Sequence, residues 1–185
     1  MNARVLVAIA DGTEEIEAVT AIDVLRRAEC DVVVASVMPG HQVCCSRGVE
    51  LVADRLIGEC LESEFDAVVL PGGMPGAQNL ADSEPLMEIL RKQTEAEKVI
   101  AAICAAPYIV LAKSGLLAGR TATAYPGYRE NLESEGVTPS DDIVVIDGHF
   151  ITSQGPGTAM QFALAVINRS CGEEVSHRVA DGLLV

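Results

Sequence analysis

The sequence predicts an α/β protein: a flavodoxin-like, doubly wound sandwich in which a mostly parallel sheet carries helices on both faces. Three observations predict it. Strand-length runs that are apolar at every position recur along the chain, helix-like stretches alternate with them, and aliphatic residues supply almost the whole apolar fraction. A strand that is apolar on both sides must be covered on both sides, and helices between parallel strands provide that cover.

The elements follow in order. Arg4–Ala10, Asp31–Val37, Ala67–Leu70, Val99–Ile103, Thr121–Ala124 and Ile143–Ile146 read as strands. His149–Thr152 follows an Asp147-Gly148 turn signal and reads as another. Glu15–Arg27 reads as a helix, with Ile16, Val19, Ile22 and Leu25 at the regular spacing of a packed face. Pro85–Thr94 and Tyr108–Lys113 also read as helix. In Thr158–Asn168, Met160, Ala163, Leu164 and Ile167 share one face of a last helix. No repeat, low-complexity tract or linker divides the chain, so residues 1–185 are expected to form a single domain.

Composition narrows the function. The net charge is −14, which repels phosphate backbones and argues against a nucleic-acid-binding surface. The charge favours a small neutral substrate, or an anion held at a local positive spot. No export signal is legible, because Asp11, Glu14 and Glu15 follow the first apolar run at once. The longest uncharged apolar run, Val99–Ala112, contains Pro107 and falls short of the roughly 20 residues a membrane span needs. The expectation is a cytoplasmic protein. Cys30, Cys44, Cys45, Cys60, Cys104 and Cys171 form no C-x-x-C pair, and His41, His149 and His177 are scattered. Neither a metal site nor a cofactor is expected, and each cysteine by default is a free thiol.

In such folds ligands bind beyond the carboxyl ends of the strands. Three loops emerge there: Asp11–Glu14, Pro71–Gly76 and the residues from Cys104. Cys104 ends a buried strand and is followed at once by a helix start, with small Ala102 and Ala106 on either side and Pro107 in the first turn. A sharp strand-to-helix turn needs small flanks, and a thiol at a helix N-terminus is expected to favour the thiolate. Taken alone, a buried cysteine is a small core residue; its place in the crevice argues for reactivity. Pro71-Gly-Gly73 lets backbone N–H groups approach a ligand without a Cβ in the way, so this glycine pair is a candidate for half of an oxyanion hole, with the Ala105 N–H as the other half. Glu14, Glu15 and Glu17 open the first helix, where dipole compensation explains most acidic residues. One of them, if buried, would stay protonated and serve the thiol, but spacing does not choose among the three. Ser153–Thr158 suits a turn and helix start, while Cys44-Cys-Ser-Arg47 sets a scarce cation beside two thiols.

These motifs together resemble the ThiJ/PfpI superfamily, in the branch of the human parkinsonism-linked deglycase and bacterial YajL. Glu14-Glu-Ile-Glu17, Cys45-Ser-Arg47, Leu70-Pro-Gly-Gly73, Gly76-Ala-Gln-Asn79, Ala101–Pro107 and Thr152–Gly157 carry the resemblance, in order, across nearly the whole chain. It implies a flavodoxin-like homodimer. It makes Cys104 the nucleophile, Glu17 its protonated partner, and Gly73 and Ala105 the oxyanion donors. It places Arg27 and Arg47 near the dimer interface and the mouth of the site. Tyr125 stands where many members have a histidine, and a free tyrosine, with a pKa of about 10, is a poor base. Ala105 follows the cysteine where the peptidase branch has histidine, which argues against proteolysis. The resemblance implies a slow glyoxalase or deglycase acting on methylglyoxal or its early amine and thiol adducts, in protection against carbonyl and oxidative stress. The alternative is a non-catalytic redox sensor or chaperone in which Cys104 is oxidised to sulfinate.

Overall fold

The computed structural model describes residues 2–185. β1 (Arg4–Ile9) leads into α1 (Glu15–Arg27) and β2 (Asp31–Ser36). A small hairpin, β3 (Gln42–Cys44) and β4 (Glu50–Val52), and the short β5 (Arg55–Leu56) follow. Next come β6 (Ala67–Leu70), α2 (Gly76–Ala81), α3 (Glu84–Glu95) and β7 (Val99–Ile103). A π-helical segment, Pro107–Ala112, precedes β8 (Thr121–Ala122), α4 (Pro126–Arg129) and β9 (Thr138–Pro139). The chain ends with β10 (Val144–Asp147), β11 (Phe150–Ser153), α5 (Ala159–Cys171) and α6 (Glu173–Leu183).

The main sheet runs β10-β11-β7-β6-β1-β2-β5. Only the β10–β11 pair is antiparallel, a hairpin turned at Gly148, whose φ is 62°. The five inner strands, counted along the chain, take the flavodoxin order 2-1-3-4-5. β1 lies at the centre, pairing with β2 from Arg4↔Asp31 to Ile9↔Ser36 and with β6 from Val5↔Ala67. Val, Ile, Leu and Ala fill these strands because both faces are covered. α1 and α5 pack on one face, and α3 with the Pro107–Ala112 segment on the other. The flavodoxin-like sandwich expected from the sequence is the fold observed.

Two expectations need correction. The buried stripe of α1 is Glu17, Ala18, Ala21, Val24 and Leu25, not the Ile16–Val19–Ile22 row. Ile16 is 55% exposed and Val19 44%. Small alanines let α1 lie close to the sheet and α5, so Ile16 and Val19 are turned outward, while Ile22 is half-buried against the core and Leu25, the last residue of the expected row, is fully buried. Thr121–Ala124 is not a strand of the main sheet; only Thr121–Ala122 is extended, and it pairs with β9. The sequence reading also missed the β3–β4 hairpin, α2 and α6. α6 is hard to read because its buried residues are only Ser176 and Val179.

Candidate active site

β7 is buried throughout and ends on Cys104, whose φ of 67° is left-handed and strained for a residue with a side chain. Two backbone bonds hold it there. The Cys104 N–H donates to the Ser153 carbonyl at 3.0 Å, and the Cys104 carbonyl accepts from the Tyr125 N–H at 2.8 Å. Ala102 and Ala106 are fully buried, which allows the sharp turn. On the opposite side the backbone of Gly72 presses against the cysteine. A Cβ on Gly72 would lie 2.6 Å from the Cys104 Cβ. Gly73, with φ of 86°, packs on the Gly12–Glu14 backbone, where a side chain would collide. The loops after β1, β6 and β7 therefore meet where the strand order reverses, the usual place of the ligand crevice in a doubly wound sheet.

Glu17 sits beneath this junction. It lies in the first turn of α1, whose N-cap is Glu14: the Glu14 carboxylate accepts from the Glu17 N–H at 2.8 Å. The Glu17 side chain is 1% exposed, and its Oε2 accepts from the Gly72 N–H at 2.7 Å. Oε1 is buried without a formed hydrogen bond, and the Cys104 thiol interacts with the carboxyl. Burial pushes Glu17 up from 4.5 to about 7, against the pull of the Gly72 N–H. Burial, and then the Glu17 charge, push the Cys104 thiol up from 9.0 to about 12, opposed by the Gly73 and Ala105 N–H groups.

That direction corrects the acidic thiol expected at a helix N-terminus. Cys104 is only 9% exposed, and a six-residue π-helical segment follows it. Desolvation outweighs the two N–H groups. Thiol and carboxyl behave as one site. The carboxyl proton is held up to about 7 by burial, and the thiol proton up to about 12, first by burial and then by the charge left on Glu17.

Above Cys104 opens a cleft of about 380 Å³, bounded by Glu14, Arg47, Gly73, Met74, Tyr125 and Tyr128. Arg47 arrives on the Cys44–Arg47 turn, which Glu15 anchors by accepting from Ser46 Oγ and the Arg47 N–H, each at 2.8 Å. Burial would raise the Glu15 carboxyl, but its own backbone N–H, followed by the bonds from Ser46 and the Arg47 N–H, holds it below its ordinary value. The three glutamates thus separate by role: Glu14 caps, Glu15 anchors a loop, and Glu17 faces the thiol. Tyr125 lines the cleft half-exposed, and Tyr128 stacks on Tyr108 at 5.9 Å between ring centroids. None of the three histidines lines it.

Arg27 is not brought to the site. It lies on the last turn of α1, bound to Asp23 at 2.8 Å. Glu14, Met74 and Tyr128 were missed as lining residues. Glu14 was legible as one of three glutamates, whereas nothing local marks Tyr128, which α4 carries in. A wider cavity of about 1000 Å³ opens at the opposite end of the sheet, where β1, β2 and β7 begin, among Arg4, Asp31, Lys98 and Arg169. No cysteine lines it, and its charges partly pair off, as Arg4 does with Asp31 at 3.2 Å. Among the described residues no group of three or more His, Cys, Asp or Glu side chains is placed to hold a metal ion.

Fold and site together make this a cysteine-elbow member of the flavodoxin-like α/β proteins. The chain belongs to the DJ-1/PfpI family, which it matches over residues 3–169. It is 43% identical over 185 residues to protein dj-1beta of Drosophila melanogaster, covering 100% of this chain and 98% of that one. It is 35% identical over 164 residues to the glutathione-independent glyoxalase DJR-1.2 of Caenorhabditis elegans, covering 89% and 86%. The solved structure of oxidized Toxoplasma gondii DJ-1 matches with a TM-score of 0.95 at 41% identity, over 98% of each chain. The chain spans only 41% and 46% of the length of DJ-1 homologs B and A of Arabidopsis thaliana.

Glu17→Gln tests the buried carboxyl. Glutamine keeps an acceptor for the Gly72 N–H but cannot ionise. Below 4.5 the wild-type carboxyl is neutral in folded and unfolded states alike. As pH rises towards 7 the unfolded carboxyl ionises first, so wild-type stability falls relative to the variant. The expected change is up to about 3 kcal/mol, read by urea denaturation at about pH 4 and about pH 8. A difference that stays constant with pH would contradict an ionisable group buried here.

Proposed function

We propose that this protein is a cysteine-dependent, glutathione-independent glyoxalase and deglycase. Its substrate would be methylglyoxal or its early adducts with amines and thiols. The Cys104–Glu17 pair carries the reading: a thiol and a carboxyl, buried together, whose first proton leaves near neutral pH beneath a cleft sized for a small carbonyl compound. The 35% identity to a relative named as a glutathione-independent glyoxalase supports it.

The steps follow from the geometry. Ionised Glu17 takes the thiol proton as Cys104 Sγ attacks the aldehyde carbon, so thiolate develops only as the carbon–sulfur bond forms. Negative charge moves to the carbonyl oxygen, where the Gly73 and Ala105 N–H groups serve as donors. Return of the proton from Glu17 gives a hemithioacetal. Glu17 then removes the hydrogen on the carbon bearing sulfur and delivers a proton to the neighbouring carbon, while the hydroxyl proton passes to the former ketone oxygen and leaves a carbonyl beside sulfur. The hemithioacetal becomes a lactate thioester, which water hydrolyses to lactate and free Cys104. Arg47 stands at the mouth to attract a polar or anionic substrate. Tyr125 has no imidazole to shuttle protons, which leaves Glu17 to do so and makes the enzyme slow.

Purified protein is expected to consume methylglyoxal and form lactate, with a rate that rises as pH passes about 7 and Glu17 ionises. Cys104→Ser should lose activity by about a hundredfold or more. Equal rates in the two proteins would sink the reading.

The buried thiol supports a second reading, a redox sensor in which Cys104 is oxidised to sulfinate and held by Glu17 and the two N–H groups. Toxoplasma gondii DJ-1, 41% identical to this chain, has been solved in an oxidized form, which favours it. Mass spectrometry after mild peroxide is expected to place two oxygens on Cys104 ahead of the other cysteines. Oxidation spread evenly over all six would exclude it.

We further propose a homodimer in a reducing, cytoplasmic setting. Ile16, Val19, Val49 and Val52 are 55%, 44%, 45% and 71% exposed, and Val19, Ile22, Leu51 and Val52 line one groove. Branched apolar side chains so exposed favour burial against a second copy. The double variant Val19→Asp, Val52→Asp should sediment as a monomer where the wild type sediments as a dimer. A variant that remains dimeric would place the interface elsewhere.

A further inference from the structure

Cys30 and Cys171 lie 141 positions apart in sequence, yet their sulfurs are 3.5 Å apart. Cys30 falls in the turn between α1 and β2, just after Glu29, whose φ is 62°. Cys171 is the last residue of α5. α1 and α5 pack against each other, so these positions meet at the end of the helix pair remote from the site. α1 has 13 residues, which at about 1.5 Å per residue sets this contact roughly 20 Å from the Glu17 end. Other thiols are differently placed. Those of Cys44 and Cys60 point to backbone carbonyls at 3.8 Å, and Cys104 faces Glu17.

We propose that Cys30 and Cys171 form a second, reversible redox site, which a small-molecule disulfide closes to an intramolecular disulfide bond independently of Cys104. Closing it needs the sulfurs to approach by about 1.5 Å, to the bond length of about 2.05 Å. Side-chain rotation within a turn and a helix end can supply that. The route in is defined. Cys171 is half-buried and lines an open cleft of about 290 Å³ with Ala28, Glu29 and Arg178, whereas Cys30 is 8% exposed. The Cys171 thiolate attacks a sulfur of the small disulfide, forming a mixed disulfide and releasing one small thiolate. Cys30 then loses its proton and attacks the Cys171 sulfur, expelling the second small thiolate. Two cysteine thiols are oxidised, one small disulfide is reduced to two thiols, and the atoms balance.

Burial raises the Cys30 thiol well above the ordinary thiol range, and that cause persists once Cys171 carries the small thiol. The second step is therefore slow, and the site registers sustained oxidation rather than a brief pulse. The bond would join the far ends of the two helices whose near ends support the Cys104 junction. Glu17 lies in the first turn of α1, and α5 follows Ser153, whose carbonyl holds the Cys104 N–H. Oxidation would thus stiffen the scaffold without touching the reactive thiol.

The test uses the full chain with Cys104→Ser, so that the active thiol does not react, and glutathione disulfide as the probe. After free thiols are blocked, a non-reducing peptide map is expected to show the Cys30 peptide joined to the Cys171 peptide within a monomer. Intact mass, after subtraction of any glutathione carried on Cys44, should fall by two hydrogens. The thermal midpoint should rise on the order of 5–10 °C and return with dithiothreitol. Cys171→Ala should abolish both the linked peptide and the thermal shift, and Cys30→Ser should do the same if it folds. The proposal is overturned if both cysteines remain alkylatable while exposed Cys44 has taken up glutathione, or if the linked peptides join any other pair.

Discussion

The Gly72 N–H bond to the Glu17 carboxyl is the contact on which the rest of this site depends. It ties the first turn of α1 to the loop after β6, and it does so directly against Cys104. A carboxyl with no such donor would not stay in this interior. A side chain at Gly72 would push the loop off the elbow, and with it the donor. The glycines at 72 and 73 are therefore required by close approach as much as by backbone freedom.

The same contact sets an electrostatic tension. Folding buries two acidic groups side by side, which favours their protonated forms and disfavours a double charge. The site responds by giving up one proton near neutrality and keeping the other far above it. A nucleophile of this kind is restrained when the cleft is empty and released when a carbonyl carbon accepts its electrons. The strained φ of Cys104 belongs to the same design: three loops over-determine it, and none would hold it alone.

The layer architecture was legible because it rests on local rules. Runs such as Val5–Ala10 and Ala67–Leu70 are apolar at every position, and only a doubly covered parallel sheet buries such strands. The elbow was legible for a similar reason, since small residues around Cys104 and Pro107 mark a sharp turn. The face of α1 was not. Its apolar spacing supports two stripes, and the choice between Ala18–Ala21–Leu25 and Ile16–Val19–Ile22 depends on how closely the sheet and α5 approach. The acidity of the thiol was misjudged because a helix terminus is visible in sequence whereas depth of burial is not.

By itself the sequence determined the inner strands of the main sheet, the principal helices, the elbow and the candidacy of Cys104, since each depends on neighbours within a few residues. Tertiary structure decided which glutamate meets the thiol, that Arg47 and Tyr128 border its cleft, that Arg27 does not, and that Cys30 touches Cys171. Those facts depend on distances between segments far apart in the chain. Such distances are set by how closely the layers pack, a property of the whole fold that no local spacing contains.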